Sequence, residues 1–276
     1  ANDLAKALMN KGNALQGQGE LAAAIDAYDQ AIAILRELVE RFATRAFRRP
    51  IEPNEVDRFV SLGQSALEDG RDVEDAAKLA LRAVLTSPQF LLLSERPGPL
   101  DDHAIASRLS YFLWSTMPDE ELMRLASEGV LSRPEILRAQ VERLLKSPKA
   151  AQFVTNFVGQ WLDLRRIDAT SPDTRLYPEY DELLKLAMVG ETEAFFGELL
   201  RNDLSIAHFA DSDFLMLNRR IAEHYGIEGV VGEEFRRVAL PPGSPRGGLL
   251  GQASVLKVTA NGTVTSPVLR GVWVVK

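Results

Sequence analysis

The sequence predicts a mainly α protein, with a multi-helical body, a helical hairpin at the N-terminus and a small β or loop segment near the C-terminus. Apolar residues recur at helical spacing along most of the chain, and residues that favour helix starts precede these segments. Strand character is confined to FRRVAL from Phe235 and SVLKVTA from Ser254. With 276 residues, of which 46% are hydrophobic and 26% charged, the chain is long enough for one large or two modest cores.

Charge and cysteine content exclude several classes of protein. The net charge of −7 argues against nucleic acid or an anionic membrane as a partner, because such binders usually carry a basic excess over a whole face. The absence of cysteine excludes disulfides, thiolate zinc sites and covalent haem c attachment within the chain. No apolar stretch reaches the roughly 18 residues of a membrane span, and no signal peptide is visible in the opening ANDLAKALMNKG.

Residues 1–40 are expected to form the helical hairpin. The segment resembles a single tetratricopeptide repeat, because small and bulky residues occupy the positions that such a repeat uses to pack its two helices: Gly12, Leu15, Gly19, Ala24, Tyr28 and Ala31. One repeat cannot bury its own apolar face and must dock on something else. Arg36 stands where a proline usually ends the second helix, so we expect this helix to continue to Phe47 and to stop before Pro50.

Three further segments are predicted after the hairpin. Residues 41–98 form a helical segment, residues 99–230 the main helical domain, and residues 231–276 a basic, glycine-rich segment that we expect to be truncated. In the first of these, one long buried helix is expected from Ala76 to Leu93. Capping residues then predict helices that start near Asp101 or Asp102, Pro118, Ser132, Lys149, Glu179 and Asp211, the last of which ends at Gly226.

The C-terminal segment carries a charge pattern unlike that of the rest of the chain. After Glu234 there is no acidic residue, whereas six residues are basic. Ser266 and Pro267 are typical of the cap and first residue of a helix, whose N-terminal N–H groups favour anions. The sequence therefore predicts an anion or ligand site, formed by Arg246, Gln252, Asn261, Ser266 and Arg270.

Three other polar residues are predicted to have structural roles. Arg108 is expected to be the polar anchor of an aromatic-rich core helix. Glu191 shares a helix side with Phe195 and is expected to be buried. A buried carboxylate there favours an arginine partner, and Arg108 and Arg270 are the candidates. His224 lies at a helix end, where its imidazole complements the helix dipole and the last carbonyl groups.

No catalytic or metal-binding residue is predicted. With three histidines and no cysteine, a metal site would need mostly carboxylates, and histidine spacing typical of zinc sites is absent. Asp101 and Asp102 are better explained as helix-capping acids than as metal ligands. The serines lie outside G-x-S-x-G, and the glycine runs lack the residues of a phosphate-binding loop.

Several longer motifs occur in an order that is typical of a known group of proteins. They include ERFATRAFRRPIEPNEVDRF, LDDHAIASRLSYFLWSTMPDEELMRLA, LNRRIAEHYGI, RGGLLGQAS and TSPVLRGVWV. From about residue 40 to residue 276 the chain thereby resembles three neighbouring domains of unknown function. These belong to large secreted, planctomycete-type proteins, many of which also carry a c-type cytochrome module. The resemblance implies an extracytoplasmic location, a c-type cytochrome or other secreted protein as partner, and no established catalytic residue. It places no cofactor in this chain, and haem c on a partner or on a missing module.

Two functions from different classes follow from these observations. In the first, the chain is a non-catalytic interaction module that contacts an anionic partner or ligand through its basic C-terminal segment. In the second, it is part of an enzyme acting on an anionic substrate such as an acidic saccharide, with the same five residues as a clamp and a carboxylate such as Glu191 contributed from elsewhere. The sequence lacks a nucleophile beside a base, which favours the first function. It predicts no oligomeric state.

Overall fold

The computed structural model describes residues 2–69, 71–93 and 97–275, with side chains from Ala7 onward. It confirms a mainly α protein, in which the sheet formed by the described residues has two strands. The chain divides into two compact units. The first comprises the residues up to Tyr111 together with Thr116–Gln140, and the second comprises Phe112–Ser115 together with Val141–Lys276. In the part of the chain that is described, no helix is long and apolar enough to cross a membrane.

The elements described in the first unit are all helices. They are α1 (Asn2–Gly17), α2 (Leu21–Phe47), α3 (Pro53–Glu68), α4 (Val73–Leu85), α5 (Pro88–Leu91), most of α6 (Asp102–Trp114), α7 (Glu120–Ser127) and the first part of α8 (Pro134–Leu145). The prediction that α2 continues to Phe47 is confirmed. Its buried residues recur at helical spacing and, with residues of α3 and α4, form the core of this unit.

The predicted hairpin of α1 and α2 is present. A Cβ atom at Gly12 would lie 3.0 Å from Cε1 of Tyr28, so the glycine makes room for the tyrosine ring. The hairpin therefore packs as the spacing of small and bulky residues predicts. Its relation to tetratricopeptide repeats stays a prediction.

The prediction of one long helix from Ala76 to Leu93 is wrong, because the helix is interrupted between α4 and α5. Ser87 Oγ donates a hydrogen bond to Val84 O at 2.7 Å, and Pro88 begins α5. A proline has no N–H to donate and disfavours a helical conformation in the residue before it. The leucines at 91–93, expected to be buried, are exposed.

The predicted buried side of α6 is also wrong. Arg108 and Phe112 are exposed, whereas Ala106, Ser110 and Leu113 occupy the buried side. Both sets recur at helical spacing, and the sequence alone does not decide which of them faces the core. The prediction of Arg108 as a core anchor is therefore incorrect.

The second unit contains the remaining elements. After the ends of α6 and α8 they are α9 (Ala151–Trp161), α10 (Glu182–Arg201), β1 (Phe214–Leu217), α11 (Arg219–Tyr225), β2 (Arg236–Ala239), α12 (Ala253–Val258) and α13 (Pro267–Val275). Short 3₁₀ helices lie at Pro148–Ala150, Leu164–Ala169, Ile206–Phe209 and Leu249–Gly251.

Helix α10 is central to the second unit. It packs against α9, α11, α12 and β1. It contributes Phe195 to one hydrophobic cluster and Leu184 to another. Because it has neighbours on several sides, its buried residues are not confined to one stripe, and they include the polar side chains of Glu191 and Thr192.

The strand predicted at FRRVAL is confirmed as β2, but its partner was not predicted. β2 pairs antiparallel with β1, with Phe214 opposite Ala239 and Leu217 opposite Arg236. All four residues of β1 are buried. A short, continuously apolar run of this kind cannot be told from a buried helix by its periodicity.

Two other sequence predictions are corrected in this unit. The helix expected from Asp211 begins only at Arg219, because Asn218 caps it by accepting a hydrogen bond from Ile221 N at 3.0 Å. It ends at Gly226 as predicted. The strand expected at SVLKVTA is instead α12, whose buried residues pack into the core although valine and threonine favour strands locally.

The glycine pair after Arg246 sets how closely its loop approaches the rest of the unit. Gly248 has φ of 67°, and a Cβ atom there would lie 2.6 Å from the carbonyl oxygens of Phe209 and Ala210. Gly251 is a matched control in the same turn, because the nearest atom to its Cβ position is 4.0 Å away.

We expect Gly248→Ala to lower the free energy of unfolding by more than about 2 kcal/mol, because it adds a backbone clash to an unfavourable φ. Gly251→Ala should change it by less than about 1 kcal/mol. Denaturant melts of the two variants provide the test. Equal losses would contradict the close approach at Gly248.

Candidate ligand-binding site

A pocket of about 340 Å³ lies within the second unit. Its apolar and aromatic walls include Tyr177, Tyr180, Leu184, Met188, Leu256 and Val264. Its acidic and basic lining residues are Glu179, His224, Arg246, Lys257 and Arg270. A concave, mainly apolar pocket with a few polar groups is the usual form of a small-ligand site.

Arg246 is held against one wall by an aromatic ring. Its guanidinium carbon lies 3.7 Å from the centroid of the Tyr225 ring, in a cation–π contact. Nη1 also donates a hydrogen bond to Gly251 O at 3.4 Å. Both contacts orient the guanidinium without neutralising its charge.

Arg270 is held by hydroxyl groups of the loop that precedes α13. Nη2 donates to Thr265 Oγ1 at 2.8 Å, and Nε donates to Thr259 Oγ1 at 3.3 Å. This loop is closed by a single bridge between Ala260 and Thr265. The guanidinium is therefore fixed by neutral partners, as is that of Arg246.

Lys257 is a buried cation in the same pocket. Its ammonium donates to Ile167 O at 3.0 Å, to Thr170 O at 2.7 Å and to Thr170 Oγ1 at 2.9 Å. An ammonium group has three N–H donors, so all of them are used. Burial lowers the pKa of Lys257, because leaving water disfavours the charged form.

The pocket carries an excess of positive charge. Among the described residues, none of Arg246, Lys257 and Arg270 forms an ion pair with a carboxylate. Within the described ranges Glu179 is the one acidic lining residue, and its Oε1 lies 4.0 Å from Nδ1 of His224. Burial lowers the pKa of His224, which favours its neutral form. Three positive charges and one negative charge leave a formal charge of +2 in the lining.

Glu191 lies behind the wall that Tyr225 forms. Glu191 is fully buried, and its Oε2 accepts a hydrogen bond from the Tyr225 hydroxyl at 2.6 Å. The same hydroxyl accepts a hydrogen bond from Ala253 N at 2.7 Å. The predicted burial of Glu191 is confirmed, whereas the arginine partner is wrong: its partner is a tyrosine, and Arg270 bonds to threonines.

The environment of Glu191 favours its neutral form. Burial raises the pKa of Glu191 to about 8, although the hydrogen bond from Tyr225 and the charge of Arg246 act in the opposite direction. Its Oε1 atom has no hydrogen-bond partner among the described residues. Burial also raises the pKa of Tyr225, and the neighbouring Glu191 adds to that shift.

Only some of the five residues predicted to form a ligand site lie at the pocket. Arg246 and Arg270 line the pocket, whereas the other three do not. Gln252 is fully buried. Asn261 Oδ1 accepts hydrogen bonds within its own loop. Ser266 caps α13 as predicted, because its Oγ accepts from Leu269 N at 3.3 Å.

Sequence reasoning missed three contributors to the pocket. Lys257 lies in SVLKVTA, whose strand character does not indicate that this side chain turns inward. Tyr225 stands beside the helix-ending Gly226, and the sequence signal at this place comes from the glycine. Tyr180 lies in the loop before α10, where no periodicity indicates which side chains turn inward. His224 is placed at the end of α11 as predicted, and it also lines the pocket. No group of three or more residues suited to a metal ion occurs among the residues that the structure describes.

Comparison with protein families finds two matches. Residues 34–95 match the family described as PSD5, protein of unknown function (DUF1595), and residues 100–227 match PSD4, protein of unknown function (DUF1592). These matches support two of the three neighbouring domains of unknown function that the motifs resemble. Arg246, Lys257 and Arg270 lie after the second match. No curated protein and no solved structure matches the chain.

The raised pKa of Glu191 predicts a pH-dependent stability. Between about pH 4.5 and 8 the folded protein keeps a proton that the unfolded chain has released, so stability falls as the pH rises through this range. The slope is at most about 1.4 kcal/mol per pH unit.

Glu191→Gln should remove this decline, because an amide is neutral at every pH and its oxygen still accepts from Tyr225. Denaturant melts at pH 5, 7 and 9 should show the variant gaining stability relative to the wild type as the pH rises. Glu40→Gln on the exposed side of α2 is the control and should follow the wild type. Parallel curves for wild type and Glu191→Gln would mean that Glu191 is ionised throughout.

Proposed function

We propose that this chain is a non-catalytic helical interaction module that binds an anionic group of a ligand or partner in the pocket of its second unit. The proposal rests on one observation: three cationic side chains line one pocket, and none of them is paired with a carboxylate of the residues that the structure describes. Cations removed from water are costly without a counter-charge. An incoming anion would supply that charge.

The contacts of the arginines support binding rather than a purely structural role. Arg246 and Arg270 are half-buried and are held by a ring, a carbonyl oxygen and hydroxyl groups. Planar guanidinium groups fixed in this way offer their remaining N–H groups to carboxylate or phosphate oxygens. An arginine paired with a buried acid would have its charge neutralised and fewer N–H groups to offer.

The wider setting of the module is also a proposal. By its resemblance to secreted, planctomycete-type proteins we place it outside the cytoplasm, beside a c-type cytochrome or another secreted partner. The two matched families support the order of the domains. The enzymatic alternative would require a reactive group beside the arginines. Among the described residues, Glu179 is the only acid that lines the pocket, and Glu191 lies behind Tyr225.

Charge reversal of Arg270 separates binding from folding. Arg270→Glu should leave the free energy of unfolding within about 1 kcal/mol of the wild type, because the residue is half-buried and its partners are neutral. It should weaken binding of small anions at least tenfold, and wild-type binding should weaken with added salt. Calorimetric titration at low ionic strength with acetate, benzoate, citrate and inorganic phosphate measures this.

Arg41→Glu is the matched control, because it makes the same charge change on an exposed arginine of the first unit. It should bind anions as the wild type does. If the wild type binds none of the four anions, or if both variants lose affinity equally, the proposed function is wrong.

A further inference from the structure

We infer that the ligand of the pocket is a small monocarboxylic acid with an apolar body. The inference rests on the proposed function and specifies its ligand. It follows from three properties of the pocket: which N–H donors remain unused, which hydroxyl groups are already bonded, and how large the pocket is.

The unused donors belong to the two arginines and not to the lysine. Lys257 donates all three of its N–H groups to Ile167 and Thr170. A guanidinium has five N–H donors, of which Arg246 uses one and Arg270 two among the described residues. Lys257 therefore adds positive potential, whereas the arginines offer hydrogen bonds to a planar, two-oxygen acceptor.

The hydroxyl groups around the pocket are mostly committed within the protein. Tyr177 donates to Thr263 O at 3.2 Å, and Thr263 Oγ1 bonds to Asn261 Oδ1 at 3.1 Å. Thr265 Oγ1 accepts from an arginine, and Tyr225 bonds at both of its hydroxyl positions. In the described part of the chain, the hydroxyl of Tyr180 is the lining tyrosine hydroxyl without a protein partner.

A ligand with many hydroxyl groups would consequently be poorly satisfied here. Each hydroxyl that enters an apolar pocket without a partner loses its hydrogen bonds to water. A sugar acid carries several such groups, whereas the pocket walls offer leucine, methionine and tyrosine side chains. An apolar body gains from these walls, because its burial removes apolar surface from water.

The size of the pocket sets an upper limit on the ligand. Its volume of about 340 Å³ is at the lower end of the range for small-molecule sites. A single ring or short alkyl chain with one carboxylate fits this volume. The carboxylate would bind the guanidinium groups, and the body would lie against Tyr180 and Leu256.

Calorimetric titration of the full chain with five probes tests the inference. Benzoate should bind at least tenfold more tightly than acetate, which lacks the apolar body, and than galacturonate and inorganic phosphate. Benzamide, which has the ring without the charge, should bind at least tenfold more weakly than benzoate. Arg246→Gln should weaken benzoate binding at least tenfold, while Arg41→Gln should leave it unchanged.

Two results would overturn the inference. They differ in whether the proposed function fails with it. If galacturonate or phosphate binds as tightly as benzoate, and Arg246→Gln weakens that binding, the pocket is an anion site whose ligand is not an apolar acid. If none of the charged probes binds, and citrate does not bind either, the proposed function fails as well. Because the comparison among probes uses the wild-type protein, it does not depend on the folding of any variant.

Discussion

The hydroxyl of Tyr225 joins three helices around the pocket. It donates a hydrogen bond to Glu191 of α10 and accepts one from the first residue of α12, while its own residue ends α11. The ring of the same tyrosine supports the guanidinium of Arg246. Loss of this side chain would leave the Glu191 carboxyl without its donor and Arg246 without its support.

The cations of the pocket are positioned by groups that carry no charge. A ring, backbone carbonyl oxygens and threonine hydroxyls fix their geometry, and they leave the positive potential in place. Such an arrangement stabilises the shape of the pocket and leaves its positive charge unpaired. The anion that we propose as ligand would therefore gain both a preorganised set of donors and a counter-charge. An ion-paired arginine would be equally well fixed but would first have to exchange its partner.

The second family match and the pocket overlap only in part. Helices α10 and α11 lie within the second matched region, and they provide Leu184, Met188 and Tyr225. The cationic residues come from the segment after it. The matched region thus supplies much of the apolar wall and the buried Glu191, whereas the C-terminal segment supplies the positive charge.

The sequence by itself determined the helical class, the hairpin, most helix starts and the basic character of the last segment, because these depend on spacing, caps and composition within one stretch of chain. It also predicted Arg246 and Arg270 as residues of a ligand site, since the last segment has no acid to pair with them. Tertiary structure alone decided that α12 is a helix rather than a strand, that Glu191 faces a tyrosine and that Lys257 turns inward. Each of these depends on a partner far along the chain: Ile167 lies 90 residues from Lys257, and Tyr225 lies 34 residues from Glu191. Local propensity depends only on residues nearby in sequence and does not reflect such distant neighbours. Packing against these neighbours overrides the local propensity.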